Sequence, residues 1–300
     1  MAIQKEIWLE TIVEGLFADN SFASKSFNAD VFVNQGKTVH IPNAGKASNV
    51  EKNRSVFPAQ VKTREDIDLT FNLDEFTTDP IRIPNADTVE LSYNKRDSVL
   101  RQDRAKLIEV ASESILQSWL SGVGTNVIET TGESVKAHLP SATGNRKALT
   151  KNDVKAVMNK FNADNVPQVG RHLLLDAEMY GQLIDSLTEN ESKAFHGVAD
   201  VSKGILGNLY GFNIMMRSRV GRYTNTSLKE WSAVGTATDV ACAIAWHEDS
   251  VCRALGEVNM FDNPGQATYY SDIYSFLVRC GGRAMRNDVA GLLAIKQATA

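Results

Sequence analysis

A chain of 300 residues is too long for a small disulfide-stapled scaffold and has room for one large domain or two modest ones. Folded compactly, it would bury roughly three quarters of the surface its unfolded form exposes, so a sizeable core is attainable. Apolar residues make up 43% and charged residues 23%, and the net charge of −4 excludes a surface built throughout for nucleic acid or anionic lipid.

In chain order, residues 3–18 carry Ile3, Ile7, Trp8, Ile12, Leu16 and Phe17 at helical spacing and predict an amphipathic helix. A polar stretch dotted with phenylalanines follows to Asn34. It reads either as a loop or as an arm lying on something outside its own domain. Residues 36–76 predict a hairpin. Lys37–Pro42 alternates and stops at the turn signal Pro42-Asn43-Ala44-Gly45. Val61–Asn72 then alternates with Val61, Thr63, Glu65, Ile67, Leu69 and Phe71 on one face and Lys62, Arg64, Asp66, Asp68, Thr70 and Asn72 on the other. A two-stranded hairpin this long is marginal alone in water, and the early half of its second strand is polar on both faces. It is expected to project and to find its stability on a neighbouring chain.

Pro80 and Pro84 bracket a short strand at Ile81 and Ile83. A long helix is predicted over about 94–121, with Val99, Leu100, Leu107, Ile108, Ala111, Ile115, Trp119 and Leu120 in one stripe and a stop at Gly122-Val123-Gly124. Residues 125–149, rich in Gly, Thr and Ser, read as a connecting loop. Thr150 and Asp153 form a capping box ahead of a helix bearing Val154, Val157, Met158 and Phe161. Leu173–Leu175 reads as a buried strand, and Asp176 caps a helix with Met179, Tyr180, Leu183, Ile184 and Leu187 on one face. Gly204–Ser218 predicts strand, turn and strand. Val240, Cys242, Ile244 and Trp246 mark one face of a buried strand, and 269–295 reads as long strands with a turn at 286–288. This is a mixture of strands and helices in layers.

The chain offers little chemistry. Gly36-Lys37-Thr38 lacks the earlier glycine of a phosphate loop, since position 31 is Val31. His247-Glu248 lacks the second histidine of a zinc-protease helix, and five scattered histidines supply no metal spacing. There is no nucleophile elbow. Cys242, Cys252 and Cys280 are odd in number and widely spaced, which fits buried thiols in a reducing compartment. No uncharged apolar stretch approaches the ~20 residues of a spanning helix, and Lys5, Glu6 and Glu10 interrupt any export signal. Arg279, Arg283, Arg286 and Lys296 read as a solvated strand face or as contacts to nucleic acid or a partner's acidic edge. No catalytic residue, cofactor or metal is expected.

The order of elements resembles the major capsid proteins of tailed bacteriophages that share the HK97-type fold. The likeness rests on the ordered set of "NADVFVNQGKTVHIPNAG" (28–45), "VPQVGRHLLLDAEMYGQLI" (166–184), "GILGNLYGFNIMMRSRV" (204–220), "AIAWHEDSVCRAL" (243–255) and "YYSDIYSFLVRCGGRAMRNDVAGLLAI" (269–295). The resemblance implies an α+β fold divided into an N-terminal arm (1–35), an E-loop hairpin (36–76), a peripheral domain with its spine helix (77–148), an axial domain (149–268) and C-terminal strands returning to the peripheral domain (269–300). It implies a structural protein of the virion that assembles in the host bacterial cytoplasm. Copies would form hexamers and pentamers of an icosahedral shell around double-stranded DNA, with a portal, a decoration protein and no membrane as further expectations. The E-loop arrives by about residue 36, so a separate scaffolding protein is expected. Trp8, Phe17, Lys62, Arg64, Asp66 and Asp68 are the expected contacts between subunits. An encapsulin-like compartment is the alternative with the same fold. A cytoplasmic α/β enzyme built around residues such as His172, Asp176 and His247 is the alternative from another class.

Overall fold

The computed structural model describes residues 21–34, 37–43, 50–55, 57–58, 67–84, 95–200, 203–224, 227–286 and 288–300. The helix expected over 3–18 and most of the outer part of the hairpin lie outside these residues. From Ser21 the chain makes a 3-10 turn (Ser21–Ser24), strand β1 (Phe27–Asn28), a second 3-10 turn (Asp30–Phe32) and β2 (Val33–Asn34). Strand β3 (Thr38–Asn43) pairs antiparallel with β4 (Ile67–Asn72), Thr38 opposite Asn72 and Asn43 opposite Ile67. This is the stem of the expected hairpin. β5 (Asp74–Thr77) and β6 (Ile81–Pro84) lead to helix α1 (Lys95–Gly122), whose 28 residues span about 42 Å.

Residues 125–149 hold three short strands where a loop was expected: β7 (Val127–Glu129), β8 (Ser134–Lys136) and β9 (Asn145–Lys147). Three residues are too few for alternation to register; β8 and β9 pair with each other, and β7 with a distant segment. β7 runs parallel to residues 294–296, and Thr130 binds the Lys147 carbonyl through Oγ1 at 2.7 Å. Helix α2 (Lys151–Ala163) starts at the predicted capping box, with Asp153 accepting from the Thr150 N–H at 2.8 Å. β10 (Arg171–Asp176) ends in the residue that caps α3 (Ala177–Asp185), where Asp176 Oδ1 accepts from Met179 N–H at 2.6 Å. Helix α4 (Glu189–His196) follows. β11 (Gly207–Leu209) and β12 (Phe212–Arg217) form the predicted hairpin, turning at Tyr210 (φ 51) and Gly211 (φ 82). Positive φ at both turn residues matches the twist of paired strands.

β13 (Gly221–Thr224), β14 (Ser227–Lys229) and β15 (Asp239–His247) come next. A 3-10 turn (Glu248–Ser250) connects to β16 (Val251–Gln266), then β17 (Ser271–Ala284) and β18 (Leu292–Lys296). β1, β16, β17, β5 and β6 make a five-stranded sheet, and the strands around β15 make an eight-stranded one. β16 lies in the sheet with β5, β6 and β17, whereas β18 sits beside β15.

Every residue of β15 is buried, and its two faces serve two cores. Val240, Cys242, Ile244 and Trp246 join one core that also takes α1 and the inner face of the five-stranded sheet. Ala241, Ala243 and Ala245 join another, with Val154, Val157 and Phe161 of α2 and Met179 and Leu183 of α3. Helix α1 is therefore covered from two sides. Its buried residues Leu107, Ile108, Ala111, Ser112, Ile115, Leu116, Trp119 and Leu120 span more than half its circumference, Ser112 and Leu116 filling in the stripe predicted. Trp119 is the joint. Its Nε1 donates to the Cys252 carbonyl at 2.9 Å, and its ring lies 5.5 Å from Trp246 and meets Phe22 edge-on at 5.7 Å. A Cβ at Gly282 would stand 2.7 Å from that Nε1, so the close approach requires glycine there.

Candidate functional site

Four of the six residues expected at contacts, Lys62, Arg64, Asp66 and Asp68, belong to the expected hairpin. The stem has one apolar face. Val39, Ile41, Leu69 and Leu73 pack on Ala29, Cys252 and Ala254 in a small third core. His40, Pro42, Asp68 and Thr70, on the opposite face, are exposed. The alternation read over 67–72 thus holds at Asp68, Leu69 and Thr70. Backbone and side chain tie the stem down: Leu73 N–H reaches the Lys37 carbonyl at 2.8 Å, and Arg283 Nη1 donates to the Thr70 carbonyl at 2.5 Å. Of the six expected contact residues, Asp68 alone falls among the described residues. It faces solvent opposite Pro42 on β3. Trp8, Phe17, Lys62, Arg64 and Asp66 lie outside.

The segment 21–34 is stitched to its own subunit. β1 runs parallel to β16, Phe22 is buried, and Asp30 Oδ1 accepts from Leu255 N–H at 2.7 Å. The Trp246 indole donates to the Lys25 carbonyl at 2.6 Å.

The cationic positions near the C-terminus are engaged within the chain. Arg279 spans Glu75 at 2.6 Å and Glu257 at 2.8 Å, joining β17 to β5 and β16. Arg286 pairs with Asp288 at 2.6 Å, Lys296 with Glu129 at 3.0 Å, and Arg283 holds the stem. The Arg286 pairing also lowers the Asp288 carboxyl to about 2. These four cations form no free basic patch.

Two exposed features were not anticipated. The far end of the β16–β17 hairpin presents Phe261, Tyr269 and Tyr270, the last 80% exposed and at φ 47. Bulges between Leu255 and Val258, and between Asn263 and Gln266, break the alternation that would have revealed β16. Beside α1, open grooves meet at Phe76 and Val110 and carry Asp74, Glu113 and Glu230 on one side and Glu75, Asp79 and Asp103 on the other. Burial raises the Asp103 carboxyl pKa.

The residues of the enzyme alternative do not converge. Asp176 caps α3 and binds His138 at 2.9 Å. His172, at the other end of β10, is buried against Trp246 and Glu248. His247 Nε2 is engaged by the Val169 carbonyl at 2.8 Å. All three cysteines are buried, and burial pushes the thiols of Cys252 up to about 11, Cys280 up to about 12 and Cys242 further still. Among the described residues, no group of three His, Cys, Asp or Glu could hold a metal ion, and no helix is long and apolar enough to cross a membrane.

Comparison with known proteins gives a consistent answer at the level of fold. No family model and no curated protein sequence matches the chain. Solved structures do. The capsid of Ralstonia phage GP4 matches with a TM-score of 0.64 at 9% identity, over 92% of this chain and 87% of that one. The capsid of cyanophage P-SCSP1u matches at 0.61 and 14% identity, over 92% and 86%. A virus-like particle from Pyrococcus furiosus matches at 0.57 and 9% identity, over 97% and 99%. The chain thus has the fold of phage capsid subunits, the HK97-type α+β fold.

Proposed function

We propose that the chain is a major capsid protein of a tailed bacteriophage, a structural subunit whose work is association rather than catalysis. The observation that carries this reading is the likeness of fold to phage capsid subunits over nine tenths of the chain. A hairpin stem with a single buried face supports it, because a strand pair with half a core is completed by another surface. Copies assemble as hexamers and pentamers into an icosahedral shell around packaged double-stranded DNA, with a separate scaffolding protein, a portal and a decoration protein as partners. Assembly takes place in the host bacterial cytoplasm.

The E-loop lies over a neighbouring subunit, where Lys62 and Arg64 meet carboxylates such as those beside α1, and Asp66 and Asp68 meet cations. Trp8 and Phe17 bury their rings at contacts made by the N-terminal arm. The four engaged C-terminal cations favour a container that lines DNA without gripping it, since phosphate contacts need concentrated free Lys and Arg. A second reading, an encapsulin-like compartment around a protein cargo, is favoured by the near-complete mutual coverage with the Pyrococcus furiosus particle.

Light scattering and negative-stain electron microscopy of the purified chain, with and without a candidate scaffolding protein, test the proposal. Closed shells, capsomers or sheets of megadalton mass are expected. Shells filled with one protein species select the second reading. A compact monomer or dimer under every condition overturns both.

A further inference from the structure

His172 occupies an unusual position at the root of the segment 21–34. Its side chain is 1% exposed, with Nε2 2.8 Å from Glu248 Oε1 and Nδ1 buried without a hydrogen-bond partner. Beside an ionised Glu248, Nε2 carries the proton and the neutral ring leaves only a lone pair unmatched at Nδ1. A second proton would sit on Nδ1 as a buried donor with no acceptor, which costs more than an idle lone pair.

The ring is also mechanically connected. It stacks on Trp246 at 5.5 Å and 30°, and that indole holds the Lys25 carbonyl at 2.6 Å. Two residues along the same joint, Trp119 carries Phe22. The charged groups facing His172 come from three directions. Glu248 of the 3-10 turn favours an imidazolium, whereas Lys25 of the 21–34 segment and His247 of β15 oppose it. From β12 the residue opposite is Asn213, which does not titrate. Its neighbour on β10, Arg171, directs its guanidinium to the carbonyls of Val166 and Pro167.

We propose that His172 is an acid-sensitive latch for the segment 21–34, holding it through Trp246 when neutral and releasing it when protonated. Release admits water to Nδ1 and moves Lys25 away from the new positive charge. The inference stands on this geometry and is independent of the shell reading. Burial lowers the His172 pKa from its ordinary value, outweighing the opposing pull of Glu248. The released state therefore binds the proton more tightly. Grip is full above the ordinary histidine range and declines as the pH falls from there towards the lowered value.

Hydrogen exchange of the full-length chain from about pH 8 to about pH 5, corrected for intrinsic rates, reads the latch. Peptides within 21–34 should lose protection by up to about tenfold per pH unit below the ordinary histidine pKa, while peptides of α1 hold theirs. His172→Phe keeps the stack without the proton and should flatten the response. Glu248→Gln keeps an acceptor without the charge, which lowers the latched-state pKa further, so the loss of protection should begin at the same pH but run deeper and continue to lower pH. Constant protection in the native chain, or an unchanged pH response in His172→Phe, overturns the latch. If His172→Phe does not fold, histidine-labelled NMR of the native chain decides: a His172 titration at or above the ordinary range also overturns it.

Discussion

Strand β15 and the β3–β4 stem are built by the same alternation and end in opposite states. In β15 the even positions fill one core, the odd positions fill another, and paired strands cover both edges. In the stem, Val39 and Leu69 enter a small core while His40, Asp68 and Thr70 stay in water. Side-chain periodicity sets which residues share a face, but what stands opposite each face sets how much stability the strand contributes. A strand between two cores is complete within its own chain. A strand on half a core is an offer to a neighbour.

Four substitutions sharpen that contrast. Trp119→Ala removes the ring between the two sheets and strands the Cys252 carbonyl, so it should cost about 3–5 kcal/mol and collapse the urea transition as a whole. Leu69→Ala, in the small core of the stem, should cost about 2 kcal/mol, and hydrogen exchange should show the loss in β3 and β4 while β15 stays protected. A uniform loss across both regions would mean the stem is no separate unit. Arg279→Ala breaks a pair of ion contacts whose carboxylates are nearly half exposed, so screening limits the expected cost to about 1 kcal/mol, shrinking further in high salt. Asp68→Asn should leave the melting curve of the isolated subunit within about 0.5 kcal/mol. Its effect should appear only in the assembly yield measured by light scattering. A destabilised monomer would show that Asp68 serves its own fold.

Much of the fold was legible because local signals agreed with tertiary ones. The capping box at Thr150 and Asp153, the Asp176 cap, the turn at Tyr210 and Gly211 and the apolar spacing along α1 each fix an element within a few residues. What escaped notice lacked such agreement. β16 is broken by bulges, and β7 to β9 are too short to show a period. Helix α4 has a capping box at Thr188 and Glu191, yet it buries Phe195 alone and so shows no apolar stripe. The candidate site was less legible still. Its charged face reads as any solvated strand until the stem is seen to rest on Cys252 and Ala254, and of the six expected contact residues Asp68 alone falls among the described ones. That arrangement depends on contacts nearly two hundred positions apart in the chain.

The position of β15 between two cores also determines how the subunit would bear load. To slide, that strand must disengage from three neighbouring strands at once and empty both cores in the same step. Strain applied at the stem root or at the segment 21–34 would instead be taken up by the single layer of side chains that holds each. The centre of the molecule is in this sense stiffer than the stem root and the segment 21–34.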